Sequence, residues 1–208
     1  MIYLAVSDDT CDFPIRDSAV LEFIGGTANA ALCRSRHMAY SLLFMSLERL
    51  FVGEKFEIKK EPSGKPFCVR ASGERLNISI SHTDGLCAVA ISDTLSVGVD
   101  VEAEIIGERA IRVEKRFLSG LTLPRAVRDV DFIPAPLCYG SVDLLSAPDS
   151  PTTVTDRWVM CEAYLKCDGG GFGSFSRLDS IGRDATYSFW HLKLGNEKYS
   201  LALAVSES

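Results

Sequence analysis

Apolar positions in the first half of this chain change period twice. Over Ala28–Phe51, Ala31, Leu32, Met38, Ala39, Leu42, Met45 and Leu50 approximate one face at helical spacing, behind a Gly25-Gly26 break and with Thr27 as a plausible N-cap. Met1–Asp8, Asn77–Ser81 and Leu86–Ser92 read instead as strands; the last two are joined by His82-Thr-Asp-Gly85, whose Asp-Gly is a turn signal. A turn at Ser63-Gly64 precedes a further short strand. The second half repeats that order. A strand over 95–102 is followed by helices near 108–118 and 156–168, then by strands Tyr187–Leu194 and Lys198–Ser206 around Gly195-Asn196. The closing strands of the halves look alike, Leu86–Ser92 beside Tyr199–Ser206. The pattern predicts an α+β fold of two similar halves, 1–94 and 95–208, each a helix packed on a small, mostly antiparallel sheet. A long Pro-rich insertion at 119–156 holds Pro124, Pro134, Pro136, Pro148 and Pro151, and its apolar stretch Phe132–Leu137 is expected to pack or dock.

Composition narrows the class. Of 208 residues, 47% are apolar and 24% charged, the balance of a globular protein with one sizeable core or two small packed halves. No apolar run approaches the ~20 residues that span a bilayer, and the N-terminal run lacks the basic start of a signal peptide. Seven cysteines without Cys-x-x-Cys spacing favour a reducing compartment, so a cytoplasmic location is expected; the chain is read as a monomer. Cys161, Cys167 and His191 could be imagined as a zinc site, but their spacing matches no common pattern. The net charge of −6 disfavours general nucleic-acid binding. It leaves room for an anionic partner on the local cluster Arg109, Arg112, Lys115 and Arg116, which could equally be a solvated helix face.

The chemistry concentrates in two segments. In Val97-Gly-Val-Asp-Val-Glu102 strand alternation puts Asp100 and Glu102 on one face while Val99 and Val101 point into the core. In Trp158-Val-Met-Cys-Glu-Ala-Tyr-Leu-Lys166, Trp158, Glu162 and Lys166 form one helical stripe. If strand and helix meet, three carboxylates and an ammonium converge. Three oxygen ligands suit a hard cation such as Mg²⁺, and the lysine suits a phosphate. Taken singly, each segment is also an ordinary solvated face or a surface helix pair.

Taken in order, Gly64-Lys-Pro66, Asn77-Ile-Ser-Ile-Ser-His82, Val97–Glu102, Lys115-Arg-Phe117, Trp158-x-x-x-Glu-Ala-Tyr-Leu-Lys166 and Gly169-Gly-Gly-Phe172 resemble the 4′-phosphopantetheinyl transferases, specifically their larger single-chain type with two pseudo-repeated halves. The resemblance covers roughly residues 60–206. It implies transfer of phosphopantetheine from coenzyme A to a serine of an apo acyl or peptidyl carrier protein, releasing 3′,5′-bisphosphoadenosine. It further implies that Asp100, Glu102 and Glu162 hold Mg²⁺, and that Glu162 or a metal-bound water takes the serine proton. By the same resemblance Lys166 holds a phosphate oxygen, Ser81 and His82 contact the coenzyme A phosphates, Lys65 and Pro66 lie near the adenine, and Arg36, with Arg34 less securely, meets the 3′-phosphate. Neither nucleic acid nor membrane is an implied partner.

The chain departs from the family pattern in three places. Cys161 replaces the lysine before Glu162; the stretch after Phe117 is longer and Pro-rich; and only Arg16 is basic before Arg34. The cationic half of the implied site is therefore thinned, which keeps open a weakened homologue that binds coenzyme A or a carrier without efficient transfer. An unrelated α+β interaction domain is the remaining alternative.

Overall fold

The computed structural model describes residues 1–207 apart from Thr27, Thr122, 124–133 and 171–184. The expected N-cap Thr27, Phe132 and Ile133 of the apolar stretch, and Gly171-Phe172 lie outside the described residues. The chain is a mixed α+β fold with two sheets. Strand β1 (Ile2–Asp8) is followed by helices α1 (Ser18–Gly25) and α2 (Ala30–Leu50), then by β2 (Phe56–Lys60), β3 (Pro66–Arg70), β4 (Arg75–Thr83) and β5 (Leu86–Ser92). Next come β6 (Ser96–Ala103), helix α3 (Gly107–Val113) continuing as a π-turn over Glu114–Leu118, β7 (Leu137–Tyr139), β8 (Val142–Ser146), α4 (Val154–Asp168), β9 (Thr186–Leu194) and β10 (Glu197–Ser206).

One sheet runs β2-β3-β4-β5-β1-β7 and the other β6-β10-β9-β8. The opening strand of each half pairs antiparallel with that half's closing strand, Ile2 with Ser92 in one sheet and Ser96 with Ser206 in the other. In each sheet the penultimate strand, β4 or β9, lies on the far side of the closing one. Alternation sorts the side chains of β1: Tyr3 and Ala5 pack under α2, whereas Ile2, Leu4 and Val6 face the second sheet. That central layer also takes Leu86, Ala88 and Ala90 from β5 and Val97, Val99, Val101, Leu201 and Leu203 from β6 and β10. Helix α4 closes the far side over Tyr187, Phe189, Ala202 and Ala204. With both faces covered, β1 and β5 are buried at every position.

Local chemistry sets the helix ends. Asn29, rather than Thr27, caps α2 by accepting from the Ala31 and Leu32 amides. The unanticipated α1 is one short amphipathic piece whose cap, Asp17, accepts from Ala19 and Val20. Helix α4 opens with a reciprocal capping box between Thr153 and Asp156 and closes on Gly169 at φ 81°. The 119–156 insertion is partly built into the fold. Its β7 joins β1 in parallel, its β8 joins β9, and Asp8 accepts from the Ser141 amide at 2.7 Å at the turn between them.

Two kinds of contact fix the position of β6. Its unpaired edge donates from the Val99 amide to Ser79 Oγ (2.9 Å) and from the Val101 amide to Ser81 Oγ (3.3 Å), both on β4. On the other side Gly98 lies against the backbone of α4, where a Cβ would run into the Ala163 carbonyl and the Cys167 amide. A glycine here is what lets α4 lie on the strand that carries Asp100.

Candidate functional site

Strand alternation and that close approach decide where the acids go. Gly98, Asp100 and Glu102 share the face of β6 that α4 covers, and Glu162 and Lys166 descend from α4 one turn apart. Lys166 Nζ donates to Asp100 Oδ1 at 2.7 Å, and Ser81 Oγ donates to the same oxygen at 2.7 Å. Asp100 is 4% exposed. Its second oxygen, Oδ2, is buried without a hydrogen-bond partner. Glu102 is half-buried, with the Arg109 guanidinium at 3.4 Å.

The electrostatics mark one shared field. Burial, then the charges of Asp100 and Glu102, push the Glu162 carboxyl up to about 7, with Lys166 opposing them. Glu102 is raised by burial and by Asp100, against the pull of Arg109 and Lys166. The His82 imidazole is pushed down by burial and then by the charges of Lys166 and Arg36, with Asp100 opposing. Three acids, one histidine and three cations thus share one field across β4, β6, α2, α3 and α4. The sequence segments that were ordinary when taken alone do converge.

A cavity of about 300 Å³ opens next to this cluster. Ser63, Gly64, Lys65 and Pro66 form one wall, Ile78–Ile80 another, and Leu165, Lys166 and Gly169 the third. The Gly-Lys-Pro turn and the Lys166 end of α4 therefore line one space. Lys65 does not point freely into it. Its buried ammonium donates to the Cys167 carbonyl at 2.6 Å and to Ser96 Oγ at 2.7 Å, and burial lowers its pKa. It completes the C-terminal end of α4, a role its turn position did not reveal.

The other expected residues divide. Ser81 is inside the protein and orients Asp100, rather than presenting its hydroxyl to solvent. His82 belongs to strand β4, which runs two residues further than the sequence suggested; the turn itself is Asp84-Gly85. Arg36 lies over the Phe23 ring at 4.4 Å, with Lys60 at 4.2 Å over the same ring, close enough for its charge to reach His82. Phe23 and Lys60 were not anticipated; an exposed phenylalanine between cations on different elements has no periodic signature. Arg34 faces a separate cavity with Asp9, Asp12 and Asp84. Cys161 is fully buried in the core beneath α4, and its thiol is pushed up to about 12 by burial. Cys167 donates to the Ser96 carbonyl and His191 bonds Asp156, so these three residues build no zinc site.

The donor chemistry fits a hard divalent cation in one respect: Asp100 has a buried oxygen, Oδ2, that lacks a partner, and the charges of Glu102 and Glu162 are felt in the same field. Among the described residues, however, no three His, Cys, Asp or Glu side chains are placed to share one ion as they stand. The Lys166 ammonium balances Asp100 instead. Among the described residues no helix is long and apolar enough to cross a membrane. No family model matches this chain, and no curated protein matches it in sequence.

Proposed function

We propose that this chain is a 4′-phosphopantetheinyl transferase of the two-halved, single-chain type, moving phosphopantetheine from coenzyme A to a serine of an apo carrier protein. The observation that carries the reading is the electrostatic coupling of Asp100, Glu102, Glu162 and Lys166, with one Asp100 oxygen left buried and unpartnered, beside a cavity lined by Lys65, Pro66 and Lys166. The matching strand orders of the two sheets support the paired-half architecture.

Asp100, Glu102 and Glu162 would hold Mg²⁺, which when bound neutralises charge on the pyrophosphate. Lys166 leans on Asp100 and is the ammonium best placed to take a phosphate oxygen at the mouth of the cavity. Glu162, holding its proton up to about pH 7 by burial, has the basicity to accept the proton of a carrier serine once ionised. His82 and Arg36 supply polar and cationic contacts toward the nucleotide end, with Arg36 held in place by Phe23. Ser81 fixes the rotamer of Asp100.

A second reading, binding without efficient transfer, draws on two observations. Lys65 spends its charge on the end of α4, and Lys166 pairs with Asp100. One comparison separates the readings: coenzyme A-induced thermal shift and carrier modification, each with and without Mg²⁺, in the native chain and in Asp100→Asn. Transfer that requires Mg²⁺ and is lost in Asp100→Asn supports the enzyme. A thermal shift without transfer supports the binder, and neither response refutes both.

A further inference from the structure

At the other end of α4 lies a second group of chemically competent side chains. Asp156 and Lys166 are ten residues apart, about 15 Å along the helix, so this group is separate from the acid cluster. Asp156 is wholly buried. Its Oδ2 accepts from the Thr152 amide (2.9 Å), the Thr152 hydroxyl (3.1 Å) and the Thr153 amide (3.0 Å). Its Oδ1 accepts from Ser200 Oγ (2.7 Å) and from His191 Nε2 (2.9 Å). The far ring nitrogen, His191 Nδ1, lies 3.2 Å from the hydroxyl of Ser146, which is exposed at the end of β8.

The buried carboxylate fixes the histidine tautomer. Burial opposes its charge, but the bonds from Ser200, Thr152, His191 and Thr153 outweigh that and hold its pKa below the ordinary value. An ionised carboxylate only accepts, so Nε2 must carry the hydrogen, and in the neutral ring Nδ1 is then the acceptor. The Ser146 hydroxyl therefore donates to a free imidazole lone pair, the hydrogen-bond order of a serine nucleophile, its base and the carboxylate that orients the base. Two further features set this apart from a plain structural bridge. The ladder between β8 and β9 slips at Leu144/Ser146, an irregularity that re-aims the Ser146 side chain onto His191 across the strands. A cavity of about 190 Å³ opens at the pair, lined by Ser146, His191, Ser200, Leu145, Tyr199 and Lys198.

We infer that Ser146, His191 and Asp156 form a second, nucleophilic-serine site that hydrolyses esters of short acyl groups, an activity independent of any phosphopantetheine transfer. Ser146 Oγ attacks the ester carbonyl carbon while its proton passes to His191 Nδ1. The bond to the alcohol oxygen breaks and the alcohol leaves with that proton. Water, deprotonated by the same nitrogen, then cleaves the acyl-serine and restores Ser146 with release of the acid. Lys198 and Glu104 both line the cavity, and its small volume limits the acyl chain to a few carbons.

The test uses the full chain with a phosphonofluoridate probe, which forms a P–O bond to an activated serine as the P–F bond breaks and fluoride leaves. Intact mass and peptide mapping should show one adduct, on Ser146, formed by the folded protein and not by the heat-unfolded one. His191→Gln should slow labelling about a hundredfold. Ser146→Ala, at an exposed position, should abolish both labelling and p-nitrophenyl acetate hydrolysis while leaving carrier modification unchanged. Absence of a Ser146 adduct, labelling that survives unfolding, or ester hydrolysis undiminished in Ser146→Ala would overturn the assignment, and would leave the transferase proposal untouched.

Discussion

Glu162 is where burial and function oppose each other most directly. Its carboxyl stands near 7 against 4.5 when unfolded, raised first by burial and then by Asp100 and Glu102. A raised acid binds its proton more tightly in the folded state. Its contribution is therefore fully present below about pH 4.5 and is lost as pH rises through about 7, a change on the order of 3 kcal/mol. Without divalent cations, Glu162→Gln should flatten that part of the stability curve and raise the melting temperature at pH 8, while transfer is abolished. Urea denaturation at pH 5 and pH 8 reads the first effect. A variant no more stable than the native chain at pH 8 would mean that the acids are not crowded as described. Asp100 behaves differently from an exposed acid at a strand end, which is how the sequence reads. It is buried and receives Ser81 and Lys166, so Asp100→Ala should cost about 1–3 kcal/mol in addition to activity, measurable by chemical denaturation.

Helix α4 and strand β6 hold the site as a pair, and each was legible for a physical reason. Alternation along Val97–Glu102 and the four-residue spacing from Trp158 to Lys166 depend only on local geometry, so the residues sharing each face could be read directly. What alternation could not reveal was depth. Ser81 is expected at the coenzyme A phosphates and Cys161 in place of a cation, yet tertiary packing buries both, and it half-buries Lys65 from its turn. Helix α1 and strands β7 and β8 were missed because they are short and lie among prolines and acids, where pairing partners distant in sequence decide the structure. Cys161 makes the difference measurable. At a rim position Cys161→Lys would restore a cation near the phosphates; in the core beneath α4 it buries an ammonium. The substitution should therefore lower stability by several kcal/mol and gain no activity. A stable, faster variant would contradict the packing of α4.

At the scale of the whole molecule, two sheets packed face to face set Asp100 of β6 against Ser81 of β4, so the Asp100 rotamer is fixed from the opposite sheet. Just beyond Glu102 the α3 helix leaves Ile106 and Ile111 more than two-thirds exposed, with Arg112 largely solvated beside them. Arg157 anchors this segment by donating to Glu114 and to the Leu118 carbonyl. Arg109 pairs with Glu102 and Arg112 with Glu108, while Arg112 remains largely solvated, and the proposed carrier would meet this cationic segment despite the net charge of −6. Arg112→Glu with Arg116→Glu should raise the carrier KM about tenfold, equivalent to ~1.4 kcal/mol, and leave the coenzyme A KM nearly unchanged. An unchanged carrier KM would remove the patch from docking. The most direct test of the central claim is intact-mass analysis of several apo carrier proteins incubated with this protein, coenzyme A and Mg²⁺. The account predicts a gain of one phosphopantetheine on at least one carrier, absent with EDTA and absent with Asp100→Asn. No mass gain on any carrier, or a gain indifferent to EDTA, would contradict it.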